Sequence, residues 1–242
     1  MDSFGVQSRR LKGRKALITG ATRGIGLAIA EEYARHGADL VLTASSMNAL
    51  PEVEDLLRNY GVEVSTYAAD FESDDDVVSL FSYAVSVEPE LDILVNNAGV
   101  HIGKPFTEHS KEDFDRVMRI NVSSVFHLSQ LAVCHMIQLG RGKIVNIASL
   151  AGLKGSMNSS AYNTSKHAII GLTKCIALET AKKNINVNAV CPGIVETDII
   201  RNIEKKVVSA GMSSEEFWTS VEAQNPMGRM LQPSEVANIA VF

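Results

Sequence analysis

Lys15-Ala16-Leu17-Ile18-Thr19-Gly20-Ala21-Thr22-Arg23-Gly24-Ile25-Gly26 is the stretch whose reading decides the fold. Its first five residues form a short run rich in apolar and β-branched side chains, which predicts a strand. Three glycines then interrupt the pattern before an apolar-periodic segment that predicts a helix through about His36. A strand, a glycine turn and a helix in that order make a place for phosphate groups. Gly20 takes the tight turn, Gly24 lets backbone approach a pyrophosphate, and Gly26 lets helix and strand pack closely, while the helix N-terminal amides face the anion. Alone, three glycines also suit an ordinary strand-to-helix turn, so the meaning of the loop depends on the rest of the chain.

From His36 onward the chain alternates repeatedly between strand and helix patterns. Strands are predicted at 39–43, 62–68, 91–96, 143–148 and 185–191, with helices at about 48–60, from the acidic start Ser73-Asp74-Asp75-Asp76, at 111–139 and at 159–183. Carboxylates at 74–76 suit the positive end of a helix. Several strands are apolar on both faces, as a parallel sheet covered on both sides requires. The sequence therefore predicts an α/β fold, a Rossmann-type doubly wound parallel sheet flanked by helices on both faces. No linker, repeat or low-complexity tract divides residues 1–242, so a single domain is expected. The segment 192–230 holds Gly193, Gly211, Pro226 and Gly228, reads as the least regular part, and is expected to be a substrate lid.

Composition removes other classes. A net charge of -5 gives no basic field for nucleic acid or an anionic membrane. Met1 to Arg14 has no apolar signal core, and no uninterrupted apolar run reaches about 18 residues, so a soluble cytoplasmic protein is expected. Cys134, Cys175 and Cys191 are odd in number and far apart, which implies neither a disulfide framework nor a metal site. The six histidines show no HExxH and no triad order, which leaves no case for a hydrolase. His167 faces away from Lys166, and His101 either borders a pocket or lies on the surface.

The cofactor is read from the end of the second strand. A ribose-binding carboxylate is expected about 20 residues after the glycine loop. Thr43-Ala44-Ser45-Ser46 offers none. A 2'-phosphate would meet no repulsion there; it would accept from the Ser45 and Ser46 hydroxyls and pair with Arg23. The expectation is NADP(H), against the plainer reading of Arg23 as a solvated surface arginine.

Farther along, Tyr162 and Lys166 stand four residues apart on a predicted helix and share a face. A phenol with a pKa near 10 is a poor base at neutral pH, and a close ammonium favours its phenolate. Ser149 ends the fifth strand, where open α/β sheets place ligands. Alone, it would equally be a capping serine.

Thr19 to Gly26, Asn96-Asn97-Ala98-Gly99, Ser149, Tyr162-Asn163-Thr164-Ser165-Lys166 and Pro192-Gly193 together resemble the short-chain dehydrogenase/reductase family from about Gly13 to the end of the chain. The resemblance implies an oxidoreductase that interconverts a ketone and a secondary alcohol with the pro-S hydride of its cofactor. It implies Tyr162 as proton donor and acceptor, Lys166 on the nicotinamide ribose, and Ser149 on the substrate carbonyl. Asn121 would hold a water that relays protons to Lys166. For the cofactor it implies contacts from Gly20, Thr22, Arg23, Gly24, Ile25 and Gly26, from Asp70 near the adenine, and from Asn97, Ala98 and Gly99. Ile194 and Thr197, after Pro192-Gly193, would meet the carboxamide.

Ser149-Leu150-Ala151-Gly152, Asn188 to Gly193 and Glu196-Thr197 are similar to 3-oxoacyl-thioester reductases of fatty-acid and polyketide synthesis. An acyl carrier protein is then a partner, with Arg141 and Lys183 as candidate cations at the pocket mouth, although ordinary solvated charges explain them equally. A free hydroxy acid, polyol or steroid-like alcohol is the alternative substrate class. An NADP-binding scaffold or redox sensor is the alternative outside catalysis, and nothing favours a structural protein. By analogy with the family a homo-oligomer, dimer or tetramer, is expected. The family continues past Pro233 to Ala237 through a final strand, whereas this sequence stops at Phe242, so that strand is expected to be missing.

Overall fold

The computed structural model describes residues 9–209 and 211–241. Residues 1–8, within the segment read as lacking a signal core, and Phe242 lie outside them, as do the outer limits of the predicted domain. Six parallel strands form one sheet in the order β3-β2-β1-β4-β5-β6. They are β1 (Lys15–Thr19), β2 (Asp39–Ala44), β3 (Val64–Ala68), β4 (Ile93–Asn96), β5 (Gly142–Ile147) and β6 (Ile185–Val190). The helices are α1 (Gly24–Arg35), α2 (Leu50–Arg58), α3 (Asp74–Val87), α4 (Lys111–Met118), α5 (Ser124–Leu139), α6 (Ser160–Thr180), α7 (Asp198–Ser209), α8 (Ser214–Ala223) and α9 (Pro233–Val241).

The predicted Rossmann-type sheet is therefore present, and its strands show why. Ala16 and Ile18 of β1 are fully buried in one layer, with Ile29 and Tyr33 of α1 and Leu50 and Leu57 of α2. Leu17, between them, is buried in the opposite layer with Leu80 of α3 and Leu128 of α5. Burying one such side chain contributes about 2 kcal/mol, and both faces of the strand contribute. Tyr33 donates its hydroxyl to the Ala240 carbonyl at 2.8 Å and so ties α9 to α1. Among the described residues β6 forms one edge of the sheet, and α9 comes after it with no further strand.

Two sequence expectations change. The helix predicted over 111–139 is two helices joined by a π turn at Arg119–Ser123, which carries Asn121. By length and composition the run could cross a membrane, but Leu128, Ala132 and Met136 pack it onto the sheet as a core helix. The segment 192–230, read as irregular, contains α7 and α8. Ser213 and Glu216 form a reciprocal capping box that starts α8, and Phe217 and Val221 bury its inner face.

The chain runs from β1 outward through β2 to β3, then crosses to β4 on the other side of β1. Open α/β sheets bind ligands at such a reversal, beyond the carboxyl ends of the strands. Gly20, Ser45, Asp70, Asn97, Ser149 and Pro192 come just after the C-terminal ends of β1, β2, β3, β4, β5 and β6.

Candidate active site

The glycine loop is built as its spacing requires. Gly20 has φ +64°, and a Cβ there would lie 3.0 Å from the Ala98 Cα. At Gly26 a Cβ would lie 2.1 Å from the Gly20 carbonyl oxygen, so no larger residue fits without moving the turn. The start of α1 has neither a capping side chain nor an acid in its first turn, which leaves its amides for an anion. Thr19 and Asn97 brace the loop from below. The Thr19 hydroxyl accepts from the amides of Asn97 and Ala98, both at 2.9 Å, and the Asn97 amide donates to the carbonyls of Thr19 at 2.9 Å and Gly20 at 3.1 Å.

A cleft of about 470 Å³ runs along this edge. Twelve of the positions expected to bind cofactor line it: Gly20, Thr22, Arg23, Gly24, Ile25, Ser45, Ser46, Asp70, Asn97, Ala98, Gly99 and Thr197. Ala44, Asn48, Glu72, Arg116, Ile199 and Asn202 also line it and were not singled out from the sequence. Asn48 was findable, being two residues past Ser46. Ala44 ends β2 within the Thr43 to Ser46 segment, and the rest come from α4, α7 and the loop after β3, whose approach has no local sequence signal. Arg23 shares the cleft with Ser45 and Ser46, but its side chain is paired within the protein. Its Nε is 3.3 Å from Asp198 at the start of α7, and both side chains are mostly exposed. An exposed pair of this kind is worth about 0–1 kcal/mol, so an arriving phosphate competes with it easily. The uncapped helix start, the three glycines and the carboxylate-free Thr43 to Ser46 segment fit a phosphate-bearing dinucleotide.

Beyond Gly99 lies the second group of residues. Ser149 comes just after β5, and its hydroxyl caps Ala151 at 3.1 Å and hydrogen-bonds the Tyr162 phenol. Burial pushes the phenol above its ordinary value, and the Ser149 hydrogen bond opposes that shift. The expected depression by Lys166 is not present. The Lys166 ammonium lies over the ring face, 5.6 Å from its centroid, and donates to the Ile147 carbonyl at 2.8 Å, not to the phenol oxygen. Lys166 is buried, which pulls it down to about 8, and nearby Cys191 only partly offsets that.

Asn121 is 1% exposed and its side chain is committed. Oδ1 accepts from the Val100 amide at 2.8 Å, while Nδ2 donates to the Val100 carbonyl at 2.9 Å and to Ser165 at 3.0 Å. The side chain thus clamps the segment after β4 to the helix of Tyr162. Asn121 lies in the π turn, a feature common at functional sites. A Cβ on Gly99 would lie 3.2 Å from the Asn121 oxygen and 3.8 Å from the Lys166 nitrogen, so the glycine keeps the passage between cleft and Lys166 open.

Pro192 and Gly193 lie beside Leu150, and Ile194 beside Leu231, and none of the three is on the cleft wall. Leu150 donates its amide to the Pro192 carbonyl at 2.9 Å, and Leu231 to that of Ile194 at 2.9 Å. Arg141 and Lys183 are not at a pocket mouth. They precede β5 and β6 and so lie at the opposite end of the sheet, where Arg141 pairs with Glu90 at 2.8 Å and buried Asp92 at 3.0 Å. Among the described residues no cluster of three or more His, Cys, Asp or Glu side chains offers a metal site.

A dinucleotide cleft that meets a Ser–Tyr–Lys group at the switch point of a parallel sheet defines a class: oxidoreductases acting on CH–OH groups with a nicotinamide cofactor. The chain belongs to the short-chain dehydrogenase family, whose model matches residues 14–208. It is 36% identical over 234 residues to a 3-oxoacyl-(acyl-carrier-protein) reductase of Aquifex aeolicus, covering 96% of this chain and 90% of that one. It is also 36% identical over 234 residues to a D-beta-hydroxybutyrate dehydrogenase of Cupriavidus necator, covering 96% and 91%. The NADPH-bound structure of an actinorhodin polyketide ketoreductase superposes with a TM-score of 0.89 at 36% identity, covering 94% of this chain and 88% of that one. An NAD+-bound xylitol dehydrogenase superposes at 0.90 with 34% identity, covering 96% and 92%.

Proposed function

We propose that the chain reduces the ketone of a 3-oxoacyl thioester to a secondary alcohol with NADPH. The observation that carries this reading is the Ser149–Tyr162 pair over buried Lys166, which Gly99 of the cleft wall approaches, beside a cleft whose ribose segment lacks a carboxylate. When bound, NADPH supplies the hydride. Gly20, Thr22, Gly24, Ile25 and Gly26 hold the pyrophosphate end, Asp70 the adenine end, and Asn97 to Gly99 the middle. Thr197, with Ile194 behind it, would hold the nicotinamide end, and Arg23, Ser45 and Ser46 would receive the 2'-phosphate.

Ser149 donates to the substrate oxygen, which gains charge as the carbonyl is reduced. Tyr162 donates the proton, and a phenol held above its ordinary pKa stays protonated and ready for that role. Lys166 orients the ribose and helps return a proton to Tyr162, with Asn121 and its π turn holding the path. The thioester class is supported by the likeness to a 3-oxoacyl-(acyl-carrier-protein) reductase and to a polyketide ketoreductase. A carrier protein, if it delivers the substrate, meets α7, where Lys205 and Lys206 are exposed.

The cofactor choice is tested at Ala44, which ends β2 and lines the cleft. Ala44→Asp is expected to lower kcat/KM for NADPH by about 10²-fold, because a carboxylate there opposes the 2'-phosphate. It should also improve use of NADH. Equal use of both cofactors by the parent chain would refute the NADP(H) assignment.

We also propose that copies assemble as a dimer or tetramer through the outer faces of α5 and α6. Phe126 and Leu178 are 51% and 82% exposed there, an arrangement that symmetric pairing would cover. Sedimentation should give a multiple of 26.2 kDa. A monomer at micromolar concentration would argue against it.

A further inference from the structure

His101 is placed beside Tyr162 by two contacts of its own and one of the loop that carries it. Its ring stands edge-on to Tyr162, with centroids 5.0 Å apart and planes at 79°. Its Nε2 is 3.0 Å from the Ser159 hydroxyl, just before the helix of Tyr162. The loop that carries it is fastened to the same place, since Lys104 donates its amide to the Asn158 carbonyl at 2.9 Å. Gly103 lets that loop wrap the ring, because a Cβ there would lie 3.0 Å from the imidazole Cε1. Burial, with the nearby charges of Lys206 and His109, holds the imidazole below its ordinary pKa of 6.5 and so neutral at neutral pH. A neutral imidazole has one donor and one acceptor. Ser159 engages one nitrogen, and Nδ1 has no hydrogen-bond partner among the described residues.

We propose that His101 determines substrate specificity by binding, through Nδ1, the second oxygen of a 3-oxoacyl substrate, the acyl oxygen two carbons from the ketone. This rests on the ketone-reductase reading and extends it. With the ketone oxygen on Ser149 and Tyr162, the next polar group along the substrate meets the residue packed against Tyr162. A simple ketone has no such oxygen and leaves Nδ1 unsatisfied. The same chemistry comes from an ester or thioester carbonyl or from a free carboxylate, and the cationic Lys206 of α7 would favour the carboxylate.

The test compares parent, His101→Phe and His101→Gln on ethyl acetoacetate, acetoacetate and cyclohexanone. Phenylalanine keeps the edge-on packing and removes the hydrogen bond. His101→Phe is expected to lower kcat/KM about tenfold for both 3-oxo compounds, the size of one hydrogen bond. Cyclohexanone should be unaffected, and His101→Gln should restore part of the loss. Equal losses on all three substrates would overturn the proposal and mark His101 as a packing residue. No loss on any would overturn it too, while leaving the reductase reading intact. Lys206→Met separates the sources: a loss confined to acetoacetate identifies the carboxylate, and no differential loss identifies the ester or thioester oxygen. If the parent reduces no ketone, the reductase reading fails, and the His101 imidazole NMR signal decides the proposal by itself. A shift of that signal on titration with ethyl acetoacetate, in the presence of NADPH, supports it, and an unmoved signal refutes it.

Discussion

Tyr162→Phe is expected to lower kcat for ketone reduction by about 10³-fold while the protein stays folded and continues to bind NADPH. The magnitude is that of a positioned proton donor removed from a reacting oxygen. The variant keeps the ring, and with it the contacts to His101 and the Lys166 side chain. It loses only the hydroxyl and its hydrogen bond to Ser149, a stability cost of about 1 kcal/mol. Steady-state rates set against NADPH affinity, measured by fluorescence, separate the two effects. A variant that retains its parent's kcat would remove Tyr162 from the mechanism. One that fails to bind NADPH would instead show the hydroxyl to be part of the cofactor site.

The second expected effect has opposite signs for activity and stability. Lys166 is 6% exposed, and its pKa falls from 10.5 to about 8 through burial. The folded protein therefore releases that proton at lower pH than the unfolded chain. Between about 8 and 10.5 the unfolded state binds more protons, so stability rises with pH across that window. Below it the folded state carries the whole cost of the buried ammonium, about 3 kcal/mol. Lys166→Met removes that cost and leaves the Ile147 carbonyl without its donor, which gives back about 1 kcal/mol. The variant is expected to be more stable than the parent at pH 7 by about 1–2 kcal/mol. It should lose the rise in stability above pH 8, and lose at least about 10²-fold in kcat/KM. Denaturant titrations at pH 7 and pH 9.5 measure this. A destabilised variant would mean that the ammonium is better compensated than its single hydrogen bond indicates.

The residues most legible in the sequence are those whose role is set by what a side chain would collide with. Gly20 and Gly26 needed only their positions between a strand and a helix to be assigned, and the close approaches to Ala98 and to the Gly20 carbonyl bear that out. The alternation of apolar strands and helices was legible for the same reason, since Leu17 and Ile18 must each find a buried face. Asn121 shows the limit. A π turn continues the helical run with no Gly or Pro, so the sequence presents one long helix where the structure has two and a clamp on Val100. Arg23 was legible as a cation of the cleft but not in its pairing, because Asp198 comes from α7 by a tertiary approach. Arg141 and Lys183 were placed at the wrong end because charge was considered without strand direction: in a parallel sheet the residues that precede a strand lie away from the site. The segment 192–230 was read as irregular because its glycines and prolines drew more weight than the capping box that starts α8.

Product stoichiometry shows whether this site reduces a ketone with NADPH. The parent chain would be incubated with NADPH and an acetoacetyl thioester, and the 3-hydroxyacyl thioester formed would be counted against the NADPH consumed. One alcohol should form per NADPH, with NADH a much poorer substitute. NADPH bound tightly but never consumed, with no alcohol formed from the thioester or from any other ketone, would contradict it and leave a dinucleotide-binding scaffold in its place.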